Sequence, residues 1–159
     1  MKNHRIQRGI ALLVAVIFMS VMLTFGLVLS SFAYKQALIT SAVTESQYAF
    51  YAADAGLECA LYYDQQLNYF AYPSVDPPSA PSITCNGVAP VVATKVWTSS
   101  QWKVTNRIGL DSKRCVDVNV IKTNTGATYI FAQGYSILCL TGTLPAGARF
   151  VSRGLKAQY

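Results

Sequence analysis

Histidine occurs once in this chain, at His4, and charged residues make up only 13% of its 159 positions. Beyond position 4 no imidazole is available as the base for a serine or cysteine nucleophile. The four cysteines, Cys59, Cys85, Cys115 and Cys139, contain no Cys-x-x-Cys pair, which argues against a zinc site. No glycine-rich phosphate loop is present. The carboxylates of Glu45, Asp54, Glu58, Asp64, Asp76, Asp111 and Asp117 show no spacing that singles out a glycosidase-like pair. The expectation is a protein that is not an enzyme and holds no metal or cofactor.

Charge and proline are also missing where their absence matters most. From Gly9 to Tyr34 no residue is charged, a run of 26 bounded by Arg8 and Lys35. As a helix it would extend ~39 Å at ~1.5 Å per residue, enough to cross a ~30 Å hydrocarbon core with some tilt. Ser20, Thr24, Ser30 and Ser31 interrupt the run, but such side chains bond back to helix carbonyls. No proline precedes Pro73, and between Lys35 and Asn68 the only glycine is Gly56. Apolar or small residues recur there at Leu38, Ala42, Ala49, Ala53, Leu57 and Leu61, the spacing of one helix face. The pattern predicts one helix from about Ile10 to about Asn68, half in lipid and half outside it. Asp54 and Glu58, four apart with like charge, are expected to face solvent. Gly56 costs about 1 kcal/mol relative to Ala in a helix, which suggests close approach of another element.

The formal charge is +6, with 13 basic and 7 acidic residues. Lys2, Arg5 and Arg8 account for half of that excess. Basic residues beside a first apolar span hold that end in the cytoplasm, so the remainder is expected outside, where disulfides form. Four cysteines allow three pairings. The favoured one joins Cys59 to Cys85, tying the helix end to the linker after it, and Cys115 to Cys139. Each closes a loop worth roughly 3 kcal/mol in the chain-entropy account.

Met1 to Gly9 is short and polar, and is expected not to be a folded element. It reads as the basic leader of a signal peptide or signal anchor, with a signal-peptidase cut available after Ala33 in Ser31-Phe32-Ala33. The apolar run is longer than a cleavable signal usually carries.

The join Arg8-Gly9-Ile10-Ala11-Leu12-Leu13 resembles the prepilin leader of type IV pilins and type II secretion pseudopilins. The stretch Gln47-Tyr48-Ala49-Phe50-Tyr51-Ala52-Ala53-Asp54-Ala55-Gly56-Leu57-Glu58 resembles a segment of minor pilins of the PilX type. The resemblance covers residues 1 to about 64. It implies cleavage after Gly9 by a prepilin peptidase, a new N-terminus at Ile10 that is N-methylated, and retention of the apolar span. It implies other pilin subunits and an assembly platform as partners, residence in the cytoplasmic membrane as a single pass, and an extracellular filament after assembly. Major pilins usually carry Glu at the fifth mature position, which here is Val14. A buried carboxylate needs a partner, so Val14 suits a minor subunit better than a repeating one, or is a neutral loss. The usual mid-span proline is also absent, so no kink is expected.

At the end of the helix, Tyr62, Tyr63, Tyr69, Phe70 and Tyr72 cluster and are expected to pack that end onto the next domain. Prolines at 73, 77, 78, 81 and 90 mark a loop. The period then becomes two. Strands are predicted over Thr94–Thr98, Gln101–Asn106, Cys115–Lys122, Ala127–Ile137 and Ala148–Lys156, with a turn at Thr123-Asn124-Thr125-Gly126. Arg107, Lys113, Arg114, Lys122, Arg149, Arg153 and Lys156 read as a solvated basic face, with weak phosphate or DNA binding as the sharper alternative.

The expected organisation is a leader at 1–9, an assembly half of the helix at 10–34, an amphipathic half at 35–70, a proline-rich loop at 71–91 and a disulfide-stapled β domain at 92–159. The fold class is α+β, a long helix on a small antiparallel sheet. Two further readings stay open: a single-pass or secreted domain that binds an extracellular ligand, and a DNA-uptake pilin.

Overall fold

The computed structural model describes residues 4–139 and 150–159, with side chains described from residue 10 onward. Its elements are α1 (His4–Gln65), β1 (Val92–Trp97), β2 (Gln101–Gly109), β3 (Cys115–Thr123), β4 (Thr128–Tyr135) and β5 (Ser152–Gln158). The strands form one antiparallel sheet in the order β1-β2-β3-β4-β5. The chain divides into two compact units, Met1–Ser41 and Ala42–Tyr159.

In the first unit α1 contains a stretch long and apolar enough to cross a membrane. The Ser20 hydroxyl donates to the Ile17 carbonyl at 2.8 Å and that of Thr24 to Val21 at 2.7 Å. Their polarity is thereby satisfied within the helix, as hydrocarbon requires. The helix begins earlier than the sequence suggested, since His4–Gly9 are helical. Once a helix is nucleated, each added residue costs little, and no proline stops it there. Met1–Asn3 lie outside the described residues.

In the second unit the remainder of α1 lies on the inner face of the sheet. The face it buries is made of small residues: Ala49, Ala52, Ala53, Gly56 and Ala60. Facing them on β4 are Ile130, Ala132 and Gly134, a series that shrinks toward one end of the strand. A Cβ on Gly134 would overlap the Ala49 carbonyl oxygen and the Ala53 amide nitrogen, and would sit 2.9 Å from the Ala52 Cβ. A Cβ on Gly56 would lie 2.5 Å from a Val116 methyl and 3.2 Å from one of Val118. The sheet thus approaches helix backbone without intervening side chains. Glu58 is exposed, but Asp54 is half-buried rather than solvent-facing. Leu38 and Ala42, counted in the same stripe by spacing, are exposed; the buried face starts at Ala49.

The core is completed by alternation. Trp102, Val104 and Ile108 of β2, Val116, Val118 and Val120 of β3, and Ile130 and Ala132 of β4 point inward. Phe70 and Ile83 from the connecting segment join them. Asn106 is wholly buried at the edge of this core. Its amide donates to the Pro81 carbonyl at 3.2 Å and accepts from the Ile83 N–H at 3.4 Å, holding the loop against β2. Of the five aromatics at the helix end, Phe70 is buried and Tyr63 and Tyr72 pack on the core, whereas Tyr62 and Tyr69 are largely exposed.

α1 stops at Gln65 rather than near Asn68, because Asn68 takes a left-handed conformation with φ 49°. Its N–H donates to the Asp64 carbonyl and that of Tyr69 to the Tyr63 carbonyl, which caps the helix. The strands keep their expected order with shifted limits: β1 starts two residues earlier, β2 runs on to Gly109, and β4 stops at Tyr135. β5 extends to Gln158, while residues 148 and 149 of the expected last strand lie outside the described ones. The β3–β4 turn places Gly126 at φ 95°, where only glycine sits without strain.

Gly134→Ala is expected to lower the unfolding free energy of the sheet unit by 3 kcal/mol or more, about the upper end of overpacking costs. Gly56→Ala should cost about 1–3 kcal/mol, because Val116 must move. Gly26→Ala, where a Cβ meets nothing within 4 Å, should leave that transition unchanged. Thermal unfolding of the three variants in detergent, followed by near-ultraviolet dichroism, checks the order.

Candidate assembly surface

The residues singled out by sequence fall into three places. Gly9 lies within α1, just before the described side chains begin. Ile10 and Val14 are exposed, as is every large apolar residue from Ile10 to Tyr34, at 43 to 74%. Val14 shares a shallow groove with Ile17, Phe18 and Val21, one and two turns along the same helix face. Among the described residues nothing covers this surface. An apolar area of this extent exceeds what a lone soluble domain carries and marks a membrane or protein contact.

The cysteines form the second place. Cys59 and Cys85 are joined with a Cα–Cα distance of 5.9 Å, and Cys115 and Cys139 with 5.1 Å. The first bond ties the last turns of α1 to the proline-rich segment. There Cys85 and Val88 exchange backbone hydrogen bonds around Asn86-Gly87. The second ties the start of β3 to the chain after β4, next to Tyr135 and Ile137.

The third place is polar: sequence named Asp64, Asp117, Arg107 and Lys122 separately but missed their pairing and the parts of Tyr135 and Tyr159 in it. Asp64, in the last turn of α1, is buried. The Lys122 ammonium lies 2.7 Å from its Oδ1, a charge contact rather than an aligned hydrogen bond, and the Tyr159 hydroxyl donates to Oδ2. Helix end, β3 and the residue just past β5 therefore meet on one carboxylate. On the opposite face of the sheet Arg107 donates through Nε and Nη2 to both oxygens of Asp117 at 2.7 Å, and the Tyr135 hydroxyl donates to Asp117 at 3.2 Å. That fork holds the guanidinium above its usual pKa, chiefly through the hydrogen bond to Asp117.

The basic residues are thus not a uniformly solvated face. Arg107 pairs with Asp117, Lys122 with Asp64 and Arg114 with Asp111; Arg149 lies outside the described residues. Burial acts to raise the Asp111 pKa. The Arg114 side chain and the N–H groups of Lys113 and Arg114 outweigh it, so the carboxyl lies below its ordinary value. Asp76 pairs with Lys95. Four of the seven carboxylates considered as acid–base candidates are therefore held by cations. Among the described residues no group of three or more His, Cys, Asp and Glu could hold a metal ion.

Comparison with known proteins returns nothing. No family model, no curated protein and no solved structure matches this chain. The largest uncommitted feature is the apolar surface of α1, and the polar groups of the sheet unit are mostly spent on one another.

The clefts on the sheet unit are small and open. One of about 300 Å³ is lined by Glu45, Tyr48, Asp111, Lys113, Arg114 and Ser136. Within it the Arg114 guanidinium sits 5.4 Å from the centroid of the Tyr48 ring.

Tyr135 gives the site a measurable pH signature. Burial first, then the charge of Asp117 and its hydrogen bond, push the phenol from 10.0 up to about 12. The folded state therefore favours the protonated phenol. Its contribution is complete below about pH 10 and is lost as pH rises toward about 12. Tyr159 shifts the same way, by burial and then by Asp64. Urea unfolding between about pH 9 and pH 12 should show stability falling. Tyr135→Phe should cost about 1 kcal/mol at neutral pH and flatten that fall. Parallel curves for the two proteins would remove Tyr135 from the account.

Proposed function

We propose that this chain is a minor structural subunit of a type IV pilin-like filament, a pilus or a secretion pseudopilus. In this reading the precursor sits in the cytoplasmic membrane with its basic N-terminus in the cytoplasm. A prepilin peptidase cuts between Gly9 and Ile10, and Ile10 is N-methylated. The assembly platform then moves the helix from lipid into contact with other pilins, and the disulfide-stapled sheet unit ends on the outside. The work is mechanical, and no catalytic step is assigned.

What supports this most is that one helix, His4–Gln65, carries both an uncovered apolar surface and the small-residue stripe that holds the sheet. A cut removing the apolar part, as after Ala33, would fall inside a continuous helix. A cut after Gly9 falls near its start, where terminal turns fray readily. Gly9 offers no side chain to a narrow protease subsite and lets the backbone extend. Val14 fits the same picture. It brings no carboxylate to the apolar interface and so demands no charged neighbour there.

The test is intact mass and N-terminal sequencing of the protein extracted from membranes in which a prepilin peptidase is active. A methylated chain starting at Ile10 is expected, and Gly9→Leu should reduce processing at least about tenfold. A chain starting at Tyr34, or one retaining Met1 to Gly9 under these conditions, would favour the single-pass or secreted binding domain instead.

A further inference from the structure

The outer face of the sheet, away from α1, is built unlike the inner one. Strand register places Lys103, Ile121 and Tyr129 side by side across β2, β3 and β4 in one row. The next row brings Phe131 of β4 beside Lys156 of β5. The Phe131 ring lies across Gly154, where a Cβ would sit 2.9 Å from its Cζ. A glycine there lets the ring lie over the neighbouring strand, and the ring remains 39% exposed. The Lys156 ammonium stands 5.3 Å from the Tyr129 ring centroid. Among the described residues, the single acidic one that the register puts on this face is Asp117, bound in the Arg107 fork. The platform therefore carries a positive charge that no carboxylate of these strands neutralises.

We propose that this face binds single-stranded nucleic acid without sequence preference. Phe131 would be the stacking surface, and Lys103 and Lys156 would take flanking phosphates. An exposed aromatic on an open antiparallel sheet stacks an unpaired base, because every base has a π-face. Tyr129 and Phe131 stand two residues apart on β4 and so project from the same side, ~6.8 Å apart along the strand. Lys156 covers Tyr129 in the free protein. Moving to a phosphate would uncover that ring for a second base. A duplex hides its bases and has no such use for the rings. The proposal does not rest on the filament reading: it needs only the sheet unit to be accessible.

The test uses the full-length protein in nanodiscs of zwitterionic lipid and a short fluorescein-labelled oligothymidylate, read by anisotropy across a salt series. Binding is expected at low salt, with log affinity falling against log salt at a slope of about −1.4 for two phosphate contacts. Phe131→Leu, which keeps an apolar side chain over Gly154, should weaken binding about tenfold with the slope unchanged. The double variant Lys103→Gln, Lys156→Gln should flatten the slope. The matching duplex should bind more weakly than the single strand. The proposal is overturned by absent binding at low salt, by duplex binding as tight as single-strand binding, or by affinity indifferent to Phe131→Leu. Indifference would assign the binding to basic residues elsewhere in the chain. Concentration-dependent self-association abolished by Phe131→Leu would overturn it too, by giving the face to a second copy.

Discussion

The structure depends on one close approach. Gly134 of β4 meets the backbone of α1 at Ala49 and Ala53 with no side chain between them, and Gly56 lets Val116 and Val118 settle against the helix. Small residues on both surfaces bring the Ala49–Ala60 part of α1 within backbone reach of the sheet, and the larger side chains fill in around that contact. Toward the helix end Phe70 and Ile83 complete the core, and the Cys59–Cys85 bond joins the helix to the segment after it. There Asp64 adds a buried charge met by Lys122 and Tyr159. Its pairing is correct in one register only, and removing a partner strands the charge.

Much of this was legible from residue order. The long helix followed from an uncharged run joined to a proline-free stretch, and the sheet from alternation such as Val116, Val118 and Val120. Gly56 was readable as a contact point because a glycine in a helix interior needs a reason. Gly134 was not, since a glycine in a strand has several uses and its partner lies more than eighty residues away. Asp64, Lys122 and Tyr159 were opaque for the same reason. Nothing local distinguishes a carboxylate that will be buried and paired from one that stays in water. The basic residues misled in the opposite direction: their even scatter looked like a solvated face, and pairing with Asp64, Asp111 and Asp117 is visible only once the strands are in register. Element ends shifted because capping decides them. Asn68 in a left-handed conformation stops α1, and that choice is not encoded in hydrophobic period.

The division of labour between the two units follows from what each leaves uncovered. The sheet unit closes its own core and locks it with two disulfides, so it holds together as a folded object. The helix from Ile10 to Tyr34 closes nothing. The hydroxyls of Ser20 and Thr24 bond inward to helix carbonyls, and the rest of its surface is overwhelmingly apolar. Such a surface suits hydrocarbon or contact with another apolar surface. In the proposed filament the helix would exchange one apolar environment for another, with no carboxylate at Val14 to be matched by a neighbour.

A photocrosslinker placed at Phe18, on the uncovered side of the helix, tests that exchange most directly. With assembly machinery absent, irradiation should attach it to lipid; with assembly under way, it should attach to the apolar helix of a neighbouring subunit. Lipid adducts alone under both conditions, or recovery of a mature chain that lacks position 18, would contradict the account.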